Sequence, residues 1–294
     1  MHERQIDISV IIVSWNVRDQ LASCLASLAE QQGVHAEVFV VDNASADGSA
    51  QMVREKFPDV QLTANTQNLG FARANNQVLS ATRGRHLLLL NPDTALPPQT
   101  LERTVKYLDR HKDVGVLGCT IHHPNGSLQR SVLRFPTFLS QAMVLLKVQA
   151  FTQRPRPLHR YYALDFDYQK EADVDQIMGS FFAVRRAVLD EIGPLDNGFF
   201  LWFEEVDFCK RARAAGWIVR YTPEFSITHA GGESFRQLLS IEQQLIFDRS
   251  MLRYFRKHHA FLAYLGLLVF CAPNLLFAFG EQFLQRWYEP KPVR

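Results

Sequence analysis

The chain of 294 residues lacks the features that define several special classes of protein. Its 15 glycines and 13 prolines are too few for a collagen-like or disordered chain, whereas 47% of its residues are hydrophobic. A chain of this length and composition can bury a large core. The 32 lysines and arginines nearly balance the 30 acidic residues, and a net charge of +2 argues against a protein that coats nucleic acid. Any phosphate group must therefore be bound at a local site.

Cysteine is also scarce, and the four cysteines lie far apart with no CxxC spacing. We expect them to be buried, unpaired thiols in a reducing compartment. The first seven residues lack the apolar segment of a signal peptide, so we expect the bulk of the protein to stay in the cytosol. The motifs GxGxxG and GxxxxGK[ST] are missing as well, which disfavours dinucleotide oxidoreductases and P-loop enzymes.

The first 120 residues alternate regularly between strand-like and helix-like segments. Residues 8–13 form a nearly unbroken β-branched run, which is typical of a strand covered by helices on both faces. Helical spacing of apolar residues follows at Leu21, Cys24, Leu25 and Leu28. Further strands are predicted at 37–41, 60–64, 86–90 and 114–119, and further helices at 47–57, 70–81 and 98–110. This order predicts an α/β fold with a doubly wound, mostly parallel sheet.

Polar residues follow three of these predicted strands, at the edge where ligands of such sheets bind. They are Ser14-Trp15-Asn16, Asp42-Asn43 and Asn91-Pro92-Asp93. A helix cap or a turn is the alternative role for Asn16 and Asp47. A carboxylate directly after a buried strand favours a binding role, which applies to Asp42 and Asp93. Asp93 suggests Mg²⁺ or Mn²⁺, because these ions commonly combine one or two carboxylates with substrate phosphates.

A cluster of acidic residues, the best candidates for catalysis, directly follows an aromatic run at residues 199–203. Glu204, Glu205 and Asp207 come next, so at least one carboxylate is expected in a partly apolar pocket with a raised pKa, the setting of a general base. A helix N-terminus is the alternative, because acidic residues interact favourably with the helix dipole there, and both roles can hold at once. His229 precedes a glycine turn and is either a ligand or a structural histidine.

Regular alternation stops after residue 119. The aromatic, proline-rich and basic residues at 135–168 predict an excursion over the active face, with an ordinary surface loop as the alternative. A strand is predicted at 175–184. It is interrupted at Gly179 and Ser180, where a ligand or another backbone segment comes close.

Residues 260–280 are uncharged and mostly apolar, and as a helix they would span about 30 Å, enough to cross a bilayer core. Pro273 and Asn274 interrupt the run, and basic residues stand on both sides of it. We therefore expect attachment to a membrane surface, for example as an interfacial or re-entrant helix pair. A single membrane span and a buried core or oligomer helix are the alternatives.

Six stretches, in order, resemble the family 2 glycosyltransferases of the GT-A fold, specifically their rhamnosyltransferase-like branch. The stretches lie within residues 6–235, at 9–16, 41–45, 68–76, 90–94, 179–182, and 203–207 together with Gly216-Trp217. The resemblance implies transfer of a sugar, with rhamnose as one candidate, from a nucleotide-diphosphate donor to a hydroxyl of a glycan or lipid-linked glycan. It further implies inversion at the anomeric carbon and a role in cell-surface polysaccharide synthesis at the cytoplasmic face of the cell membrane.

On this basis the chain divides into three parts. Residues 1–120 form the nucleotide-sugar-binding half of a GT-A domain, and residues 121–235 form the acceptor-binding and catalytic half of the same domain. Residues 236–294 form an apolar, helical, membrane-associated tail.

The resemblance also implies roles for donor-binding residues. Asp42 hydrogen-bonds the pyrimidine base, Trp15 and Asn16 line the nucleoside pocket, and Asn68 with Arg73 lies near the diphosphate or ribose. The other expected donor contacts are Ser14, Asn43, Gly70 and Asn91. Asp93 corresponds to the last residue of the Asp-X-Asp metal motif. Because Asn91 stands where the first Asp often does, binding of Mg²⁺ or Mn²⁺ rests more on the phosphates and His229.

For catalysis, the resemblance places the base at Glu205, with Glu204 and Asp207 orienting it or touching the acceptor. Acceptor contacts are expected at Gly179, Ser180 and Trp202. The residue types suit this chemistry, because a sugar hydroxyl is a poor nucleophile and a carboxylate must take its proton.

Two other functions fit parts of the pattern. A sugar-1-phosphate nucleotidyltransferase shares the architecture, but residues 14–18 lack its Gly-rich, basic signature. The second alternative is a non-catalytic, membrane-bound protein that binds nucleotide sugars. Retention of Asp93, Glu205 and Asp207 together argues for an enzyme.

Overall fold

The computed structural model describes residues 5–152, 155–231 and 240–288. Their strands are β1 Ile8–Ser14, β2 Ala36–Asp42, β3 Gln61–Ala64, β4 His86–Leu90, β5 Thr94–Ala95, β6 Val114–His122, β7 Leu128–Gln129, β8 Val132–Leu133, β9 Ala172–Asp173, β10 Gln176–Ile177, β11 Phe181–Arg185 and β12 Ile218–His229. Their α-helices are α1 Arg18–Ala29, α2 Ser49–Lys56, α3 Phe71–Val78, α4 Thr100–Arg110, α5 Phe138–Leu145, α6 Arg156–Tyr161, α7 Arg186–Ile192, α8 Glu204–Ala214, α9 Ser240–His258 and α10 Phe261–Tyr288.

The main sheet has the order β3-β2-β1-β4-β11-β6-β12-β5. Strands β1 to β4 pair in parallel, as the alternation predicts, and β6 pairs in parallel with β12. Strand β11 is antiparallel to both β4 and β6, which makes the sheet mixed. Because β11 lies between two strands of the first 122 residues, the two predicted halves share one sheet.

The strand predicted at 175–184 is divided, and the break falls at residues 178–180. Strand β10 pairs with β8 in a separate small sheet, whereas β11 joins the main one. The predicted interruption at Gly179 and Ser180 is therefore present.

Alternate residues of β1 belong to two hydrophobic cores on opposite faces of the sheet. Val10 and Ile12 pack in one core with α1, and Ile11 packs in the other with residues of α3. A central strand of a doubly wound sheet is apolar on both faces for this reason. All four cysteines are buried and unpaired, as expected.

A third core joins the C-terminal helices to the domain. Leu267 and Cys271 of α10 and Tyr254 of α9 pack with Phe199 and Phe203, which precede α8. The predicted tail thus contributes residues as far as Cys271 to the folded core. No helix within the described ranges combines the length and apolar character needed to cross a membrane. Residues 236–239 and 289–294 of the predicted tail lie outside the described ones.

Candidate active site

A cavity of about 1180 Å³ lies beyond the carboxyl ends of β1, β2 and β4, between these strand ends and the helices α8 and α9. The predicted site residues that line it are Trp15, Asn43, Asn68, Gly70, Asn91, Asp93, Gly179, Ser180, Trp202, Glu204, Glu205 and His229. Those that do not line it are Ser14, Asn16, Asp42, Arg73 and Asp207. The fold therefore brings most of the six motifs to one place.

Asp93 and His229 face each other in this cavity. Strand β5 pairs with β12 so that His229 stands opposite Thr94, the residue after Asp93. His229 Nε2 lies 3.1 Å from Asp93 Oδ1, and His229 Nδ1 lies 2.9 Å from Gln129 Oε1. The Gly231 amide donates to the other oxygen of Asp93 at 2.9 Å. Both side chains are nearly fully buried and held by their partners.

The donor set of this pair suits a divalent cation that is also bound by substrate. When the ring proton is on Nδ1 and is donated to Gln129 Oε1, Nε2 faces the Asp93 carboxylate. An imidazole nitrogen and a carboxylate oxygen 3.1 Å apart can then bind one divalent cation together. No group of three or more such side chains spaced for a metal occurs in the described part of the chain, so phosphate oxygens would complete the coordination.

Glu204 and Glu205 begin α8 directly after two strained residues. Trp202 and Phe203 adopt left-handed backbone conformations, with φ of 64° and 68°. Non-glycine residues rarely adopt this conformation, and such strain persists only where surrounding packing enforces it, commonly at functional sites. Here Phe203 is buried in the third core. This turn starts the helix and brings both glutamates to the cavity wall.

Both glutamates hold protons more tightly than usual. Burial raises the pKa of Glu205 from 4.5 to about 7. Burial, followed by repulsion from Glu205, raises the pKa of Glu204 well above its ordinary value. Each carboxyl group has a buried Oε2 atom that makes no hydrogen bond in the described structure. These are the properties predicted for a general base near neutral pH.

Asp207 lies on a different side of α8 and is fully buried in an ion-pair cluster. Its carboxylate contacts His258 Nε2 at 2.6 Å, Lys257 Nζ at 2.7 Å and Arg211 Nε at 2.8 Å. Burial opposes the charge, but bonds from these three side chains outweigh it and lower the pKa of Asp207. Asp207 does not line the cavity, in contrast to Glu204 and Glu205, and its carboxylate links α8 to α9.

Lys257 also binds Asp196, at 3.1 Å, and Arg253 binds the same carboxylate at 2.7 Å. Asp196 and Asp207 lie before and after the segment that carries Phe200, Trp202 and the two glutamates. The C-terminal end of α9 therefore holds both ends of this segment.

Two side chains at the end of β2, Asn43 and Asp42, make hydrogen bonds to the neighbouring loops. Asn43 Oδ1 accepts hydrogen bonds from the Leu69 amide at 3.2 Å and Asn65 Nδ2 at 3.0 Å. Its Nδ2 donates to the Gly70 carbonyl at 3.2 Å. Asp42 accepts from the Ser45 amide through Oδ2, whereas its buried Oδ1 makes no hydrogen bond in the described structure.

Three other predicted donor residues shape the surrounding loops. Asn16 Oδ1 accepts from the Ala46 amide at 2.7 Å. The buried hydroxyl of Ser14 lies behind the cavity wall. Arg73 Nε donates to the Asn197 carbonyl at 2.9 Å, so the guanidinium supports the segment before Phe200 instead of lining the cavity. The expected contact of Arg73 with diphosphate or ribose stays a prediction, and Arg73 is not among the residues that line the cavity.

Gly70 joins the loop that precedes α3 to the segment that precedes α8. Its amide donates to Asn68 Oδ1 at 2.9 Å, and the next amide, of Phe71, donates to the Phe200 carbonyl at 2.7 Å. With φ of 79° and ψ of 176°, Gly70 occupies a region that is essentially restricted to glycine.

The sequence reasoning missed one wall of the cavity, which α9 provides. The lining residues are Glu242, Leu245, Ile246, Arg249 and Ser250. Their spacing of i, i+3, i+4, i+7 and i+8 marks one face of a helix, and this signal was available in the sequence. Ser250 Oγ donates to the Leu201 carbonyl at 2.7 Å, which fixes this wall to the segment that precedes α8.

Comparison with known proteins agrees with this geometry. The chain matches Glycosyl transferase family 2 over residues 9–193. It is 26% identical to the N-acetylglucosaminyl-diphospho-decaprenol L-rhamnosyltransferase of Mycobacterium tuberculosis (strain CDC 1551) over 232 residues, covering 75% of each chain. It is 24% identical to the rhamnosyltransferase WbbL of Escherichia coli K12 over 239 residues, covering 79% of this chain and 86% of WbbL.

Two solved structures show the same fold. The mannosyltransferase PcManGT from Pyrobaculum calidifontis, in complex with GDP-Man and Mn²⁺, has a TM-score of 0.58 at 19% identity, covering 93% of this chain and 74% of that one. Residues 1–349 of TarS from S. aureus, in complex with UDP-GlcNAc, give a TM-score of 0.54 at 18% identity, covering 85% and 67%. These likenesses support the GT-A-type fold expected from the motifs. The chain therefore belongs to glycosyl transferase family 2 and, within it, is similar to the rhamnosyltransferases.

Proposed function

We propose that this chain transfers a sugar from a nucleotide-diphosphate donor to a hydroxyl of a glycan acceptor, with inversion at the anomeric carbon. The observation that carries the proposal is one shared cavity. It contains Glu205, whose pKa burial raises to about 7, together with the Asp93–His229 pair and the nucleoside-side residues Trp15 and Asn43. Family membership favours this transferase over a nucleotidyltransferase.

Glu205 acts as the general base. Its deprotonated carboxylate takes the proton of the acceptor hydroxyl while that oxygen forms a bond to the anomeric carbon. The bond from this carbon to the donor diphosphate breaks at the same time, and the diphosphate departs with the electron pair. One such displacement inverts the configuration and needs no second carboxylate as nucleophile. Glu204, whose pKa burial and repulsion from Glu205 also raise, lies beside the base and orients it or touches the acceptor in this proposal.

Asp93 and His229 hold Mg²⁺ or Mn²⁺ in this proposal, and their 3.1 Å separation and buried setting support it. When bound, the cation supplies positive charge to the leaving diphosphate. Asn91 Nδ2, at 3.3 Å from His229 Nε2, helps to orient the imidazole. Asp42, whose buried Oδ1 makes no hydrogen bond in the described structure, is the proposed hydrogen-bond partner of the donor base.

Rhamnose is the first sugar to test, because two relatives are rhamnosyltransferases by name. The mycobacterial relative is named for a lipid-linked diphosphate acceptor, so we propose a lipid-linked glycan acceptor and a role in cell-surface polysaccharide synthesis. Gly179, Ser180 and Trp202, which line the cavity on the Glu205 side, are the proposed acceptor contacts.

We place the chain at the cytoplasmic side of the membrane in this proposal. An exposed apolar face supports its contact with a membrane surface. Helices α5 and α10 contact each other, and Phe138 and Phe270 pair at 6.5 Å between ring centroids. Large apolar side chains on or beside these helices are strongly exposed: Phe151 by 87%, Leu262 by 79%, Val269 by 72% and Phe261 by 63%. Patches of this kind mark protein or membrane contacts. Exposed Arg156 and Arg160 lie on α6, which contacts α5, and suit anionic lipid headgroups.

The test is incubation of the purified chain with radiolabelled UDP-, dTDP- and GDP-sugars in the presence of Mg²⁺ or Mn²⁺, followed by separation of released sugar and nucleotide. Consumption of one donor by the wild type, and its loss in Glu205→Gln, supports the transferase. Donor binding without consumption under any condition would instead indicate a non-catalytic protein that binds nucleotide sugars.

A further inference from the structure

The α9 wall combines a single positive charge with apolar side chains. Among the described residues that line the cavity, Arg249 is the sole lysine or arginine. The carboxylates there are those of Asp93, Glu204, Glu205 and Glu242. Arg249 is exposed and makes no ion pair or hydrogen bond with any residue that the structure describes. An unpaired guanidinium at the rim of an otherwise acidic cavity is suited to an anionic ligand.

The position of Arg249 places this charge on the acceptor side. Its neighbour Ser250 is bonded to the Leu201 carbonyl, and Phe247 packs edge-on against Trp202 with ring centroids 6.0 Å apart. This turn of α9 is therefore fixed beside the segment that leads to Glu205. The nucleoside end, in contrast, is built from the ends of β1 and β2.

An apolar path leads away from Arg249. Leu245 and Ile246 lie one helical turn before it on the same face. Next to them, Gln244 Oε1 accepts a hydrogen bond from Lys147 Nζ at 2.8 Å. Lys147 follows the exposed Leu146, so this bond connects the cavity wall to the exposed apolar face on α5 and α10.

We infer that Arg249 binds the diphosphate of an isoprenoid-linked acceptor, with the hydrocarbon chain running over Leu245 and Ile246 towards the exposed apolar face. This inference rests on the proposed function and deepens it, because it names the residue that selects an acceptor carrying a lipid diphosphate. The donor also carries a diphosphate, so a test must separate the two sources.

The experiment is calorimetric titration of the full chain with farnesyl diphosphate, a short soluble probe of the acceptor anchor. Farnesol tests binding of the lipid alone, and inorganic diphosphate tests binding of the charged group alone. UDP and dTDP with Mg²⁺ test binding at the donor site. Arg249→Gln should weaken farnesyl diphosphate binding by about 10- to 100-fold, since it removes charge-assisted hydrogen bonds. Arg249→Lys should restore part of the loss. Binding of nucleoside diphosphate should stay within about twofold of wild type.

The matched control is Arg256→Gln, which removes an exposed arginine of the same helix outside the cavity and should change none of these affinities. Equal binding of farnesyl diphosphate by wild type and Arg249→Gln would overturn the inference. An equal loss for farnesyl diphosphate and nucleoside diphosphate would also overturn it and assign Arg249 to the donor. These outcomes are independent of the donor-consumption assay, so a wild type that consumes a donor while failing this test leaves the proposed transferase intact.

Discussion

A Cβ atom on Gly70 would collide with the backbone carbonyl of Phe200, so the loop before α3 and the segment before α8 meet without space for a single methyl group. The Phe71 amide binds the same carbonyl at 2.7 Å. Two parts of the chain 130 residues apart are therefore in backbone contact at the cavity, and small changes at this contact should affect both.

Gly70→Ala should destabilise the fold by about 3 kcal/mol or more, because it combines a backbone region restricted to glycine with overpacking. Gly126→Ala is the matched control, since Gly126 has a φ of 81° but open space around its Cα. It should cost about 1 kcal/mol. Denaturant unfolding measures the free energy of unfolding of both variants. Equal losses of stability would show that the contact with Phe200 adds nothing to the cost at Gly70.

Glu205→Gln keeps the shape of the side chain and removes the proton acceptor. We expect donor affinity to survive and kcat to fall by about 10²- to 10⁴-fold, or roughly 3–5 kcal/mol in barrier. Glu204→Gln and Asp207→Asn should be measured alongside. Asp207→Asn should act mainly on stability, because it leaves Lys257 and Arg211 without their buried partner. If Glu205→Gln stays within about threefold of wild type while Glu204→Gln collapses, the base is Glu204.

Turnover should rise with pH through about 7, because the raised pKa of Glu205 leaves it protonated, and unable to act as a base, below that value. The raised pKa of Glu205 has the opposite effect on the free energy of unfolding, which should fall as pH rises. A folded-state pKa above the unfolded value of 4.5 gives stability that is full below pH 4.5 and lost as pH rises through about 7. Melting curves of wild type and Glu205→Gln should therefore diverge between these pH values. A difference in melting temperature that stays constant with pH would contradict the raised pKa.

Chelation should abolish turnover, and Asp93→Ala should weaken the dependence of donor binding on Mg²⁺ or Mn²⁺. His229→Gln should have the same direction of effect, since the two side chains face one cation in the proposal. The control is Asp109→Asn, which alters a carboxylate on α4 that binds Arg85 far from the cavity lining. Undiminished activity in excess EDTA would remove the metal from the mechanism.

The exposed face of α5 and α10 should bind anionic vesicles. Leu262→Glu with Val269→Glu should reduce cosedimentation with phosphatidylglycerol vesicles by at least about tenfold, because both side chains would be buried in the interface. Leu128→Glu introduces one such charge at an exposed leucine on β7 and should have no effect, whereas Leu262→Glu alone should already weaken binding. Truncation after Lys257 is a less direct test, because it also removes Leu267 and Cys271 from the third core. A wild type that does not bind such vesicles would refute the membrane contact.

Much of the first half of the fold could be predicted from periodicity. The strand at residues 86–90 has the predicted bounds, and β1 extends the predicted one by a single residue. These strands are buried on both faces, so their apolar runs are unambiguous. The antiparallel insertion of β11 between β4 and β6 could not be predicted, because strand order depends on contacts between distant residues.

The site was predictable where a motif follows a strand, as with Asp93, and less so where function depends on side-chain partners. Asp207 and Glu205 are two residues apart on one helix, yet one is neutralised by cations of α9 and the other lines the cavity. The sequence shows three acidic residues within four positions but not which of them binds Lys257 and His258. Likewise, the sequence does not show that Arg73 Nε donates a hydrogen bond to the Asn197 carbonyl.

Lys257 links the two ends of one segment of the chain. Its ammonium binds Asp196 at 3.1 Å and Asp207 at 2.7 Å, and these two carboxylates delimit the segment that carries the strained turn and both glutamates. Tying the ends of a segment together lowers the number of conformations available to it. In a chain whose four cysteines are all buried and unpaired, the two ion pairs of Lys257 thus connect the ends of this segment without a disulfide bond.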